Sequence, residues 1–157
     1  ELATAVLFQN PIQNFAIAPE NLGDNAQPAA GKGGKKAGTF DNIITDYNME
    51  GAPAPALCMD FLKQVPTTWD ETVYFDGYPG KYVVLARRHG DKWYIAGLNA
   101  TGETLQLKLD LSFLGDGQMT CITDDDAMNP VQTDVKLKAK KPYAFQMMPS
   151  GATVLIK

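Results

Sequence analysis

At 157 residues and 45% hydrophobic content, the chain is long enough for one domain with a proper core, burying about 70% of the surface its unfolded form exposes. A net charge of -4, with a single basic cluster from Lys32 to Lys36, excludes a nucleic-acid binder that neutralises phosphates with grouped Lys and Arg. No window approaches the roughly 20 apolar residues of a membrane-spanning helix, and no basic-then-apolar leader opens the chain.

In chain order, Leu2, Ala5, Val6 and Leu7 recur at helical spacing, and Asn10-Pro11 stops that helix because the residue before proline is pushed out of the α region. Glu1 stands inside this helical pattern, so the sequence is expected to begin in mid-protein. Residues 12 to 18 add at most another turn before Pro19. From Asn21 to Gly38 the apolar content collapses into Gly, Ala, Asn, Asp and Lys, the composition of a flexible loop, and 39 to 49 regains Phe40, Ile43, Ile44 and Tyr47 as a docking arm. Pro53 to Val65 carries Leu57, Phe61 and Leu62 with proline at both ends, which predicts a helix.

Beyond Pro66 the period changes to two. Tyr82 to Ala86 and Trp93 to Ala96 are β-branched and aromatic runs divided by His89-Gly90-Asp91, and they read as a hairpin. Leu105, Leu107, Leu109 and Leu111 alternate with polar residues, a half-buried strand. Met119 to Ile122, Val131 to Leu137, Tyr143 to Met148 and Ala152 to Ile156 follow, for about seven or eight strands in all. The expected fold is mainly β, an antiparallel sandwich over 66–157 preceded by short helices.

Cys58 and Cys121 lack zinc or redox spacing and read as unpaired buried thiols. Asp70 and Glu71 are adjacent, so in an extended strand they face opposite ways and form no catalytic pair of the kind glycoside cleavage requires. Asp124-Asp-Asp126 lacks the spaced oxygen set of a calcium site and reads as a solvated turn. Gly31 to Lys36 misses the Walker pattern and reads as a solvated basic loop, and His89, the only histidine, sits at a hairpin tip unsuited to a triad. Asn99-Ala-Thr101 matches the glycosylation acceptor pattern, which matters in a secreted eukaryotic protein alone. Trp69, Tyr74, Tyr78, Trp93 and Tyr94 admit two readings, core packing or an aromatic platform for sugar rings. Of Arg87 and Arg88, alternation turns one inward or across a seam, where a planar guanidinium bridges carboxylates; the other reading is a solvated strand end.

Trp69-Asp-Glu-Thr72, Gly77-Tyr-Pro-Gly-Lys-Tyr82, Ala86-Arg-Arg88, Trp93-Tyr-Ile-Ala-Gly97 and Pro149 to Ile156 together resemble the C-terminal β-domain of family 97 glycoside hydrolases. Glu1 to Ala16 is similar to the helix and loop that close the catalytic (β/α)8 barrel there. The resemblance implies that residues 1–65 are the end of the barrel, with a flexible insert over about 21–49 and a helix over about 53–65, and that 66–157 is the terminal β-domain. It implies a non-catalytic tail of a retaining or inverting α-glucosidase or α-galactosidase, packing on its own barrel and N-terminal β-domain and linked to self-association. Calcium is expected in the parent enzyme with ligands outside this chain, and a periplasmic or secreted location follows from the family alone. Trp69, Asp70, Arg87 and Arg88 are then the expected seam with the barrel. Gln9, Asn10 and Ile17 depart from the family pattern, which favours Glu-Ser before the first proline and Asp near the second. The alternative is a free-standing carbohydrate-binding module using the aromatic platform.

Overall fold

Two short helices, a 3-10 turn and eight strands make up the described part of the computed structural model, residues 2–8 and 56–157. The expected insert, the docking arm, the basic loop and the start of the second helix fall in 9–55, outside the described residues. The helices are α1 (Leu2–Leu7) and α2 (Ala56–Gln64). The strands are β1 (Glu71–Tyr78), β2 (Tyr82–His89), β3 (Lys92–Asn99), β4 (Leu105–Leu109), β5 (Gly117–Asp124), β6 (Pro130–Leu137), β7 (Tyr143–Met147) and β8 (Ala152–Ile156). All pairings are antiparallel, in a six-stranded sheet ordered β1-β2-β3-β8-β5-β6 and a two-stranded sheet β4-β7.

Period-two alternation becomes two cross-strand rows, because directly opposed residues of an antiparallel ladder share a face. One row runs Val73, Ala86, Ile95, Leu155 and Cys121 across β1, β2, β3, β8 and β5. It buries against Phe145 and Met147 of the small sheet, both fully inaccessible. The other row, Tyr74, Leu85, Ala96, Val154 and Ile122, lies on the opposite face. From Leu85 onward that row packs with Ala3, Val6 and Phe61 of the two helices. The central strands are therefore covered on both faces, and β2, β3 and β8 carry unbroken buried runs where the outer strands alternate. A six-residue helix has little stability of its own, so α1 owes its form to the four buried residues it presses on this face.

Local chemistry sets the turns. Gly80 and Gly90 take φ of 74° and 58° at the β1–β2 and β2–β3 turns, conformations that side chains with a Cβ resist. The alternating leucines predict a strand reaching Leu111, yet β4 ends at Leu109. The Asp110 carboxylate accepts the Ser112 amide at 3.0 Å and turns the chain into the short 3-10 helix Ser112–Leu114. Cys121 is buried and Cys58 half-buried, and no disulfide joins them.

Candidate functional site

The helix-covered face of the large sheet holds the most unusual group among the described residues. Arg87 on β2 lies opposite Tyr94 on β3, and its side chain is 1% exposed. One nitrogen, Nη1, donates to the Phe8 carbonyl at 2.7 Å, at the C-terminal end of α1 where helix carbonyls lack internal partners. The Trp69 ring lies 5.6 Å from the guanidinium carbon and meets Tyr94 edge-on, with centroids 5.4 Å apart at 75°. Nε and Nη2 are buried and find no acceptor among the described residues. Burial pulls the guanidinium below its ordinary pKa, since water is gone and no carboxylate among the described residues replaces it.

Arg88 faces the other way and builds a second, exposed cluster at the β2–β3 turn. Asp70 takes the Gly90 amide on Oδ2 at 2.7 Å, and its own amide donates to the Arg88 carbonyl at 2.8 Å. Arg88 reaches Asp70 at 3.5 Å and Glu71 at 3.3 Å. The expectation that these carboxylates point apart is corrected here: β1 begins at Glu71, so Asp70 precedes the strand and is free to turn to the same guanidinium. Their shared partner makes them a clamp on the turn rather than a catalytic pair. His89 belongs to the same clamp, with Nδ1 donating to the Thr68 carbonyl at 2.9 Å. The four expected seam residues thus divide into two pairs, Trp69 with Arg87 on the helix face and Asp70 with Arg88 at the turn.

The five-aromatic platform is not formed. A bulge between Tyr74 and Asp76 shifts the β1 register, so Tyr74 opposes Leu85 on the helix face while Tyr78 opposes Tyr82 on the other face. Trp93 packs edge-on against Phe113 at 4.8 Å on that second face, whereas Trp69 and Tyr94 lie on the first. Tyr94 is 3% exposed and cannot stack on a sugar. Tyr74 and Tyr78 are well exposed but back to back across the sheet.

Two groups play roles that sequence reasoning missed. Asn99, matched above to a glycosylation pattern, is 1% exposed and fully engaged. Its Nδ2 donates to the carbonyls of Glu103 at 2.7 Å and Met148 at 2.9 Å, and its Oδ1 accepts from the Thr101 amide and hydroxyl. A glycan on Nδ2 would replace one of its two hydrogens, break that donation and find no access at 1% exposure, so the pattern is not an acceptor in the folded chain. Asp124-Asp-Asp126, read above as a solvated turn, does form the β5–β6 turn, and the sequence reading missed only the capping bonds that Asp124 and Asp125 accept. Asp124 accepts the Ala152 amide at 2.7 Å, and Asp125 accepts the amides of Ala127 and Asn129. The Asn129 amide holds the Asp125 carboxyl below the usual carboxylate range, helped by that of Ala127. The Asp125 motif is local and was open to a turn reading from its spacing, whereas the bonds of Asp124 to Ala152 and of Asn99 to Met148 join residues distant in the chain.

Comparison with known proteins decides the family. The model described as glycosyl-hydrolase 97 C-terminal, oligomerisation, matches residues 68–156. The chain belongs to the C-terminal domain family of glycoside hydrolase family 97. A retaining alpha-galactosidase of Bacteroides thetaiotaomicron is 35% identical over 91 residues, covering 50% of this chain and 14% of that protein. The solved structure of a beta-arabinopyranosidase is 44% identical, covers 99% of this chain and 20% of its own, and superposes with a TM-score of 0.74. A family 97 enzyme from a Pseudoalteromonas species, at 21% identity, TM-score 0.53 and coverage of 63% of this chain and 17% of its own, shares the fold. The chain therefore spans a small fraction of the relatives it matches. Among the described residues no group of three or more His, Cys, Asp or Glu is arranged to hold a metal ion, so these residues do not fit the calcium that the family resemblance implies. No helix among them is long and apolar enough to cross a membrane.

Proposed function

We propose that this chain is the non-catalytic C-terminal portion of a longer family 97 glycosidase, packing against its catalytic barrel and supporting self-association. The observation that carries the reading is the family match over 68–156, joined by the division of the carboxylates between turn clamps and structural caps. The substrate class we assign to the parent is the α-galactoside, with the β-L-arabinopyranoside as its near relative. A β-L-arabinopyranoside has the ring stereochemistry of an α-D-galactopyranoside without the hydroxymethyl group, and the two relatives at 35% and 44% identity carry those two activities in their names. The parent is further proposed to cleave with retention, to use calcium held in its barrel, and to reside in the periplasm or outside the cell.

The experiment is the intact mass of the native product from its source, together with hydrolysis of aryl α-galactosides, β-L-arabinopyranosides and α-glucosides with and without a calcium chelator. A species well above 17.1 kDa that cleaves the first two substrates and loses activity on chelation supports the reading. A native product of that mass without hydrolysis refutes it, and hydrolysis of α-glucosides alone refutes the substrate class.

A further inference from the structure

Arg87 lies on the helix face of the large sheet. Both faces keep partly covered apolar residues at their margins, but among the described residues only this one buries a charged group. On the helix face, Trp69, Val83, Leu98 and Leu57 remain only partly covered, and Tyr74 is 62% exposed. Beneath Trp69 sits a guanidinium stripped of water and carrying two unused donors. A buried cation without a counter-charge is unstable, so its burial implies an acceptor supplied on assembly.

The donors define the acceptor. Nη1 is committed to the Phe8 carbonyl, which leaves Nε and Nη2, whose N–H bonds run side by side in the guanidinium plane. That edge matches the two oxygens of one carboxylate, giving a bidentate pair that satisfies both donors and the charge together. A single carbonyl bridging the two donors would leave the charge unanswered. Resting on the reading of this chain as a C-terminal portion, we infer that the Nε–Nη2 edge of Arg87 binds the carboxylate of an Asp or Glu in the polypeptide preceding Glu1. The arginine is already desolvated in place, so the incoming acid finds a rigid, preorganised site whose outer wall is Trp69.

The test uses the full-length native protein. Its structure is expected to place both oxygens of one acid, from sequence before Glu1, about 3 Å from Nε and Nη2. Arg87→Met should lower the Tm at pH 7 by leaving that acid buried alone. The deficit should narrow as pH falls through the raised pKa of the orphaned carboxyl, because the neutral form no longer needs the cation. Arg87→Lys, which keeps the charge without the fork, should fall between, and it serves if the Met variant does not fold. A carbonyl, a water or an acid from 9–55 at this edge overturns the inference, as does a Tm deficit that is flat with pH. A native product of 17.1 kDa overturns instead the reading on which it rests.

Discussion

Replacing Asn99 by alanine tests whether one buried amide ties the β3–β4 and β7–β8 connections together. The side chain makes four hydrogen bonds, to Glu103, Met148 and twice to Thr101, at 2.7 to 2.9 Å. Each is worth about 1 kcal/mol net, and a buried partner left unsatisfied costs more. Glu103 is exposed and Thr101 half-buried, so water recovers part of the loss there, and the half-buried Met148 carbonyl keeps the Gly151 amide at 3.0 Å. The expected destabilisation is about 2–4 kcal/mol. At a urea m-value of about 2 kcal/mol/M, that moves the unfolding midpoint down by about 1–2 M, read by the fluorescence of Trp69 and Trp93. Asn99→Asp should be worse than alanine at pH 7 and gain on it toward pH 4. Its carboxylate would face two carbonyl oxygens, raising its folded pKa, so stability present at low pH is lost as pH rises through that value. A midpoint within about 0.25 M of the parent for Asn99→Ala, equivalent to about 0.5 kcal/mol, would refute the reasoning.

Gly97→Ala should cost about 3 kcal/mol or more, because the added Cβ would stand 2.5 Å from Phe145 and 2.6 Å from Met147 in a core without slack; a urea melt within 1 kcal/mol of the parent would show that the two sheets can separate at low cost. Arg88→Ala removes exposed pairs to Asp70 and Glu71, a hydrogen bond to the Gly90 carbonyl at 2.9 Å and a contact with the Trp93 ring, so about 1 kcal/mol is expected, the ion-pair share shrinking in high salt. The Asp125 carboxyl should titrate below the ordinary Asp value of about 3.9, and the order of the β5–β6 turn should hold above that value and be lost as pH falls through the depressed one; NMR of the Asn129 amide reports both.

Much of the β-domain was legible because alternation is a local property. The leucines of β4 and the runs of β2 and β3 announce their strands, and glycine marks the turn between the latter two. β1 was harder to read, since Asp76-Gly77 mimics a turn and the bulge at Tyr74 and Asp76 breaks the period. The insertion of β8 between β3 and β5 was not legible at all. It depends on pairings across more than 50 residues, Tyr94 with Ile156 among them, which no window of sequence contains. The site followed the same division. That one of two adjacent arginines turns inward follows from strand geometry, whereas the Asp70 to Gly90 contact and the four bonds of Asn99 needed the folded chain. In the aromatic platform the bulge carries Tyr78 to the face opposite Tyr74, while Trp93 and Tyr94, adjacent in β3, face opposite ways by simple alternation.

The two faces of the large sheet differ in a way that bears on what the chain is for. Toward β4 and β7 the polar groups are matched, since Thr153 donates to the Gln146 carbonyl at 2.6 Å and Asn99 uses all its bonding capacity, although Phe75, Trp93, Leu105 and Leu107 are only partly covered there too. Toward the helices the packing ends in half-covered Leu57, Leu62, Val83 and Leu98 and in a buried cation with two idle donors. An autonomous sugar-binding module would be expected to finish its core and display its aromatics together. The described residues instead separate their aromatics across the sheet and bury a guanidinium with two idle donors, an arrangement that speaks against the sugar-platform alternative and is in line with the proposed place in a longer protein.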